Sequence, residues 1–265
     1  MNQLAYLAQT KNLLDERVSK YNQLEFIETD PIQIPHRFTK KEDIEIAGFL
    51  TATISWGQRK SILKNANNLM ERMDNSPYDF IMQSSTKEWQ NMSDFVHRTF
   101  NGRDCLFFFN SLRNIYSKQS GLEGIFTNGY SVDRTIFSSL KHFREVFLSI
   151  PHEQRVKKHL SDVSANSAAK RLNMFLRWMV RSDDNSVDFG IWKNIPPSAL
   201  MLPLDTHAGN VARELGLLQR KQNDWKAVEE ITAILRTFDP TDPVKYDYAL
   251  FGIGVFESKK TPFRN

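Results

Sequence analysis

An aspartate and a histidine lie where a polar loop leads into a short helix, in residues 201–217. Apolar residues recur at helical spacing after Asp205, and aspartate is a favoured residue at helix N-caps. An N-cap carboxylate lies beside unpaired backbone N–H groups and the positive end of the helix dipole, which stabilise its charge and fix its position. Asp205 is therefore either a plain structural cap or a carboxylate held ready for chemistry, with His207 two residues further on.

A resemblance bears on this choice. The sequence Pro-Leu-Asp-Thr-His at 203–207, followed by an amphipathic helix with a Leu-Gly-Leu ending, resembles the catalytic-aspartate segment of the helix-hairpin-helix DNA glycosylases. The chain as a whole resembles a bacterial family of unassigned activity, distantly related to the archaeal 8-oxoguanine branch of that superfamily. The likeness is weaker over three further stretches, 44–69, 164–181 and 242–256. It implies that Asp205 is the catalytic carboxylate, with His207 in a supporting role.

A second informative stretch, residues 162–181, predicts an amphipathic helix capped by Ser167. Lys170, Asn173 and Arg177 share one polar face of this helix, and an ordinary helix would expose such a face to solvent. In bifunctional glycosylases of the superfamily, a lysine on the second helix of the hairpin is the nucleophile and precedes the catalytic aspartate. The resemblance therefore implies Lys170 as the nucleophile and Arg177 as a supporting residue.

The assignment of the lysine has one alternative. Lys193, in the loop that leads to Asp205, is a second candidate amine. The hairpin of the superfamily is rich in glycine, whereas residues 160–170 contain none, which bears on both the phosphate contacts of the hairpin and the choice of lysine.

The two residue types suit cleavage of an N-glycosidic bond, which builds positive charge on the sugar. A fixed carboxylate stabilises that charge, and a lysine amine can attack the sugar to form a Schiff base that permits strand cleavage. The damaged base must leave the helix stack, and its pocket needs aromatic faces. The expected pocket residues are Trp178, Trp192 and Trp56, although each type is more often found in a core.

Expected DNA contacts come from a buried helix over 44–56 and the polar turn after it. In the glycosylases a similar helix ends in a turn that touches DNA near the extruded nucleotide. The expected DNA-binding residues are Gln58, Arg59, Lys60 and Arg171. The alternative is an ordinary helix–helix turn with Gly57 as its C-cap and basic residues that are merely solvated.

Size and composition limit the possible classes. A chain of 265 residues with 40% hydrophobic and 25% charged residues has ordinary globular composition. Its net charge of +4 is compatible with a polyanionic partner without requiring one. Its single cysteine, Cys105, excludes an intrachain disulfide and a cysteine-ligated iron–sulfur cluster. We expect no cofactor and no metal site. No apolar run is long enough to span a bilayer and no signal-peptide core is present, so we expect a cytoplasmic protein, and a monomer.

Nearly every segment has a helical pattern, which predicts an all-α fold. The resemblance implies a two-lobed helical bundle of the glycosylase type, with a cleft between the lobes. We expect residues 40–199 to form the lobe with the hairpin-like region, and residues 1–39 with 200–265 to form the lobe that carries Asp205. Glycines at 121, 124 and 129 predict a loop, the aromatic segment 188–192 predicts a packed element near the site, and Asp247 is expected at the surface.

Three functions fit the sequence. The first is a DNA glycosylase, with or without lyase activity, that removes a damaged base such as an oxidised purine from double-stranded DNA. The second is a helical nucleic-acid-binding protein that keeps this scaffold without catalysis. The third is an unrelated helical protein in which Asp205 is only a helix cap.

Overall fold

The protein is all-α over the part that the structure describes. A computed structural model describes residues 3–257, and 67% of these residues are helical against 2% in strands, which confirms the predicted fold class. The strands are β1 (Val96–His97) and β2 (Phe100–Asn101), which pair as an antiparallel hairpin that the sequence pattern did not indicate. No helix within residues 3–257 combines the length and the apolar character needed to cross a membrane.

The helices are separated by turns and short single-turn helices. In chain order they are α1 (Gln3–Tyr21), α2 (Glu25–Thr29), α3 (Lys41–Ile54), α4 (Arg59–Arg72), α5 (Pro77–Gln83), α6 (Gly102–Lys118), α7 (Gly121–Asp133), α8 (Ile136–Phe147), α9 (Lys170–Val180), α10 (Thr206–Glu214), α11 (Trp225–Phe238) and α12 (Tyr246–Gly252). A π-helical turn, Ile253–Glu257, follows α12, and 3-10 turns span Pro31–Gln33, Pro35–Arg37, Glu88–Met92, Gln154–His159, Pro197–Ala199 and Pro243–Lys245.

The chain divides into two compact units whose boundaries differ from the expected 40–199 and 1–39 with 200–265. One unit is Ile27–Asp162, and the other comprises the described parts of Met1–Phe26 and Val163–Asn265. Helix α9 therefore belongs with the C-terminal helices. The physical reason is a pair of ion pairs to the C-terminal part of the chain. Arg177 of α9 binds Asp247, and Arg181 at the C-terminal end of α9 binds Asp242.

Helix α3 forms the centre of the unit 27–162, as the sequence predicts. Every residue from Asp43 to Ile54 is buried, since apolar side chains cover the whole helix circumference. The ring of Phe49 packs on three other phenylalanines, whose ring centroids lie 5.3–5.8 Å away: Phe108, Phe143 and Phe147. The buried carboxylate of Glu45 accepts a hydrogen bond of 2.6 Å from the Tyr116 hydroxyl. These contacts make an aromatic core around one buried helix.

The glycines expected to form a loop instead lie in helix α7. A Cβ added to Gly129 would lie 2.8 Å from the Cα of Ser139, which shows how closely α7 and α8 approach. The hydroxyl of Ser139 donates a 2.7 Å hydrogen bond to the carbonyl of Phe126 across the same contact. The loop prediction was wrong because this glycine serves helix packing rather than a turn.

In the other unit, α1 packs along α12 and the π-helical turn. The ring of Tyr21 lies directly over Gly252, where a Cβ would overlap it. Its hydroxyl donates a 2.5 Å hydrogen bond to Glu257, which also pairs with Arg17 at 3.0 Å and Lys20 at 2.8 Å. These contacts fix the C-terminal end of α12 beside α1, and α12 carries part of the site described next.

Candidate active site

Asp205 is the N-cap of α10, as its sequence position predicts. Its Oδ1 accepts a 2.9 Å hydrogen bond from the backbone N–H of Ala208. Its backbone carbonyl accepts a 3.0 Å hydrogen bond from the side-chain amide of Asn223. Within residues 3–257 its second carboxylate oxygen has no hydrogen-bond partner, and the residue is half-buried. The carboxylate is thus anchored by one oxygen and leaves the other available.

Lys170 is the first residue of α9 and is half-buried. Within the described part of the chain its ammonium has neither a hydrogen bond nor an ion pair. The residue before it, Ala169, has φ 48° and ψ 34°, and Asn166 has φ 62°. A left-handed conformation costs an L-residue about 1–2 kcal/mol, and such strain is concentrated at functional sites. The glycine-free segment therefore reaches left-handed geometry at two positions just before the lysine.

A buried carboxyl, Asp247 on α12, links these two residues. Asp247 is 7% exposed, and the guanidinium of Arg177 donates a hydrogen bond to its Oδ2. Burial raises the pKa of Asp247 to about 6. The positive charges of Arg177 and Lys170 oppose that rise, and the negative charge of Asp205 adds to it. Lys170 and Asp205 therefore both lie within electrostatic reach of the same carboxyl.

The polar face of α9 is internal, so the solvated interpretation of that face is wrong. Asn173 is 1% exposed and Arg177 is 3% exposed. Arg177 forms ion pairs with both Asp247 and Asp188, and its Nε lies 3.2 Å from Asp188 Oδ1. Its guanidinium carbon lies 4.4 Å from the ring centroid of Tyr248. Arg177 thus holds α9, the loop after it and α12 together, and a supporting role in catalysis stays a prediction.

Arg181 extends this network by one turn of the helix. It pairs with Asp188 at 3.0 Å, Asp242 at 2.9 Å and Asp183 at 2.7 Å. Burial alone lowers the pKa of Arg181, but the neighbouring carboxylates of Asp188 and Asp242 outweigh it and raise that pKa. The Tyr248 hydroxyl donates a 2.9 Å hydrogen bond to the carboxylate of Asp188. We call this buried network of two arginines with a shared carboxylate the floor of the site, and its Arg177 binds Asp247 directly.

His207 is exposed on the first turn of α10. A Cβ added to Gly254 would lie 3.0 Å from the Cβ of His207 and 3.2 Å from its carbonyl oxygen. The π-helical turn after α12 therefore packs closely against the start of α10. This contact brings the segment that carries Asp205 next to the helix that carries Asp247, and a supporting role for His207 stays a prediction.

Two of the three tryptophans expected to line a base pocket are core residues. Trp178 and Trp192 are 0% and 1% exposed, so both are core residues, and Trp192 packs edge-on against Phe175 at 5.4 Å. Within residues 3–257 the buried indole N–H of Trp178 has no hydrogen-bond partner. Trp56 is half-buried in the unit 27–162, where its ring contacts His97 at 5.0 Å. Trp178 and Trp192 therefore present no open face that would hold a base, and a pocket role for half-buried Trp56 stays a prediction.

The segment 188–192 is a packed element, as its aromatic residues predict. The backbone N–H of Phe189 donates a 2.8 Å hydrogen bond to the carbonyl of Trp178. The backbone N–H of Trp192 donates a 2.9 Å hydrogen bond to the carbonyl of Met179. These hydrogen bonds fasten the segment along α9 and place Asp188 at 3% exposure beside Arg177. Lys193, the alternative amine, is exposed immediately after this element.

The residues predicted to bind DNA lie mostly on one turn of the unit 27–162. Gln58 is exposed at the N-cap position of α4 and makes no capping bond with its side chain. Lys60 is exposed, and half-buried Arg59 lies 3.9 Å from the Asp30 carboxylate. Arg171 lies in the other unit, next to Lys170; it is half-buried, and burial lowers its pKa to about 10. Their contacts with DNA stay predictions.

The carboxylates of the network were not expected from the sequence. Asp247 was expected at the surface, yet the apolar and aromatic residues on both sides of it, from Pro243 to Leu250, were a usable signal of burial. Nothing in the local pattern pointed to the pairing of Arg181 with three aspartates. Within residues 3–257 no group of three or more His, Cys, Asp or Glu side chains could hold a metal ion.

The comparisons with known proteins give a family and no activity. The chain belongs to the family described as "Protein of unknown function (DUF2400)", whose model matches residues 30–256. That match includes Lys170, Asp205 and Asp247. No curated protein and no solved structure matches the chain.

Proposed function

We propose that this protein is a DNA glycosylase with lyase activity that removes a damaged base, an oxidised purine, from double-stranded DNA. The observation that carries the proposal is the position of Lys170 and Asp205 within electrostatic reach of the one buried carboxyl of Asp247. An amine and a carboxylate from different helices must reach the same substrate atoms to do this chemistry. The resemblance of residues 203–207 to the catalytic-aspartate segment of the glycosylases supports it.

Each residue has a stated task in the proposed reaction. The amine of Lys170 attacks the anomeric carbon, the bond to the base breaks, and a Schiff base forms after the sugar ring opens. The free oxygen of Asp205 faces the positive charge that develops on the sugar, while its other oxygen stays bound to the start of α10. Arg177 holds the floor of the site, and His207 orients the start of α10.

The remaining parts of the proposal come from the same resemblance. The protein is a two-lobed glycosylase-type bundle that binds DNA in a cleft, with an extruded base. The turn with Gln58, Arg59 and Lys60 contacts the DNA, as does Arg171. It acts as a monomer in the cytoplasm, without an iron–sulfur cluster.

A borohydride trapping assay tests the proposal and also decides between the two candidate amines. Duplexes that each carry one lesion, including 8-oxoguanine, are incubated with the wild type, Lys170→Gln and Lys193→Gln. We expect a covalent adduct with the wild type and with Lys193→Gln, and none with Lys170→Gln. An adduct lost in Lys193→Gln and kept in Lys170→Gln would reverse the assignment, and no adduct or base release on any duplex would refute the function.

The glycine-free segment before α9 favours a second candidate, a helical nucleic-acid-binding protein without catalysis. Binding to an undamaged duplex, measured by fluorescence anisotropy at low salt, together with no base release on any lesion, is the result that this candidate predicts. Phosphate contacts from lysine and arginine would make that binding weaken steeply as salt rises.

A further inference from the structure

Asp247 is a buried carboxyl for which the chemistry above has no task. It lies on α12 with 7% exposure, and Arg177 donates a hydrogen bond to its Oδ2. Arg177 is shared, because it also pairs with Asp188 at 3.2 Å. The negative charge of ionised Asp247 is therefore neutralised only in part, since its one ion-pair partner also neutralises Asp188. Partial neutralisation offsets little of the free-energy cost of burying a charge.

Charged groups face Asp247 from three other elements. Lys170 and Arg177 come from α9, Asp205 comes from the start of α10, and Asp188 comes from the loop after α9. The two cations favour the ionised carboxylate and the two anions oppose it. Since Lys170 and Asp205 both belong to the proposed reaction, a change of charge on either is felt at Asp247.

The two carboxyls, Asp205 and Asp247, differ in their surroundings. Asp205 is half-buried, and its Oδ1 is bound to the Ala208 N–H at the positive end of α10. Asp247 is buried, and burial raises its pKa to about 6. A pair of carboxyls in contrasting environments commonly divides into one that stays ionised and one that exchanges a proton.

We infer that Asp247 accepts the proton that the ammonium of Lys170 must lose before its amine attacks, so that Asp205 need not serve as the base. The inference rests on the proposed function. In this step one N–H bond of Lys170 breaks and an O–H bond forms on Asp247, with the proton passing through one bridging water. The freed electron pair then attacks the anomeric carbon, and the pair of the broken glycosidic bond leaves with the base, which takes a proton from solvent.

The first test is the pH profile of adduct formation with two probes, a duplex carrying 8-oxoguanine and a duplex carrying an abasic site. The wild-type rate should rise as the pH passes about 6, because Asp247 then becomes able to accept the proton. Asp247→Asn should be about 100-fold slower at pH 7 and should lack this rise, since general-base catalysis typically contributes ~10²–10⁴-fold.

Asp242→Asn is the matched control for this test. Asp242 is also a carboxyl whose pKa is raised by burial, and it pairs with an arginine of the same network, Arg181, at 2.9 Å. Its replacement should leave the trapping rate within about threefold of the wild type and keep the rise near pH 6. A merely structural role for Asp247 would make the two variants behave alike.

The second test does not depend on activity. Carbon-13 NMR of aspartate-labelled protein follows the titration of Asp247 in the wild type, Lys170→Gln and Asp205→Asn. The Asp247 pKa should rise in Lys170→Gln, which removes a cation, and fall in Asp205→Asn, which removes an anion.

The outcomes separate the inference from the proposed function. If neither substitution moves the titration of Asp247, the inference is overturned whatever the activity. If the wild type forms adducts and Asp247→Asn forms them equally fast at every pH, the role of Asp247 fails while the proposed function stands. If the wild type forms no adduct on either duplex, the proposed function fails, and the role of Asp247 fails with it.

Discussion

Replacement of Asp247 by asparagine is expected to raise the free energy of unfolding at neutral pH. Burial on α12 raises the pKa of this carboxyl from its ordinary 3.8 to about 6. A carboxyl whose pKa is higher in the folded state stabilises the protein below about pH 4, and that contribution is lost as the pH rises through about 6. Asparagine keeps the shape and can still accept the hydrogen bond from Arg177, but it brings no charge into the interior.

The magnitude follows from the change in pKa. The change from 3.8 to about 6 is about two pH units. Each unit corresponds to ~1.4 kcal/mol, so the ionisation of Asp247 costs the folded state on the order of 3 kcal/mol at neutral pH. The favourable effects of Arg177 and Lys170 are already contained in this figure, as are the unfavourable effects of Asp205 and Asp188.

Urea unfolding of the wild type and Asp247→Asn between pH 4 and pH 8 measures this difference. The two proteins should be nearly equal near pH 4, and the variant should be more stable by roughly 1–3 kcal/mol near pH 7.5. Groups with lowered pKa values, such as Asp224 and Glu257, are present in both proteins and cancel in the comparison. A difference that does not change with pH, or a variant that is less stable at neutral pH, would refute the reasoning.

Three further predictions use the same unfolding measurement. Asp205→Ala should lower the free energy of unfolding by about 1 kcal/mol, because it removes the capping hydrogen bond at the start of α10. Asp205→Asn should keep most of that stability and still lose adduct formation. Gly252→Ala should lose about 1–3 kcal/mol, seen as a lower urea midpoint, because its Cβ would overlap the ring of Tyr21. Asp224→Asn should be less stable than the wild type above about pH 4, with a deficit that shrinks as the pH falls towards 2, because the hydrogen bond from Arg220 holds the pKa of Asp224 at about 2.

Local patterns in the sequence predicted local structure well. The cap at Asp205 needs only an aspartate before an apolar helical pattern, and the structure has that cap. The burial of α3 follows from apolar residues on every side of one helix. The Asp188–Trp192 segment contains too many bulky apolar residues for a solvated loop, and it is packed.

The polar interior of the site could not be predicted in this way. Arg177 and Asn173 share a face with Lys170, and a helical pattern alone assigns such a face to solvent. They are buried because Asp188 and Asp247, from distant parts of the sequence, neutralise Arg177. Compensation of this kind depends on the tertiary fold, so no window of neighbouring residues contains it.

Backbone conformation and helix packing set the other limits. The helix predicted to be capped by Ser167 begins at Lys170, after Ala169 adopts a left-handed conformation that alanine rarely takes. Gly129 looks like a loop residue, yet it allows α7 and α8 to approach closely. The same residue type serves turns and close contacts, so only the fold distinguishes the two uses.

Mass spectrometry of the borohydride-trapped complex tests most directly whether Lys170 and Asp205 serve one reaction. After digestion with nuclease and protease, the sugar remnant should be found on Lys170, and Asp205→Asn should give markedly less of this product. A remnant on Lys193 or another lysine, or an equal yield from Asp205→Asn, would contradict the assignment of the two residues to one site.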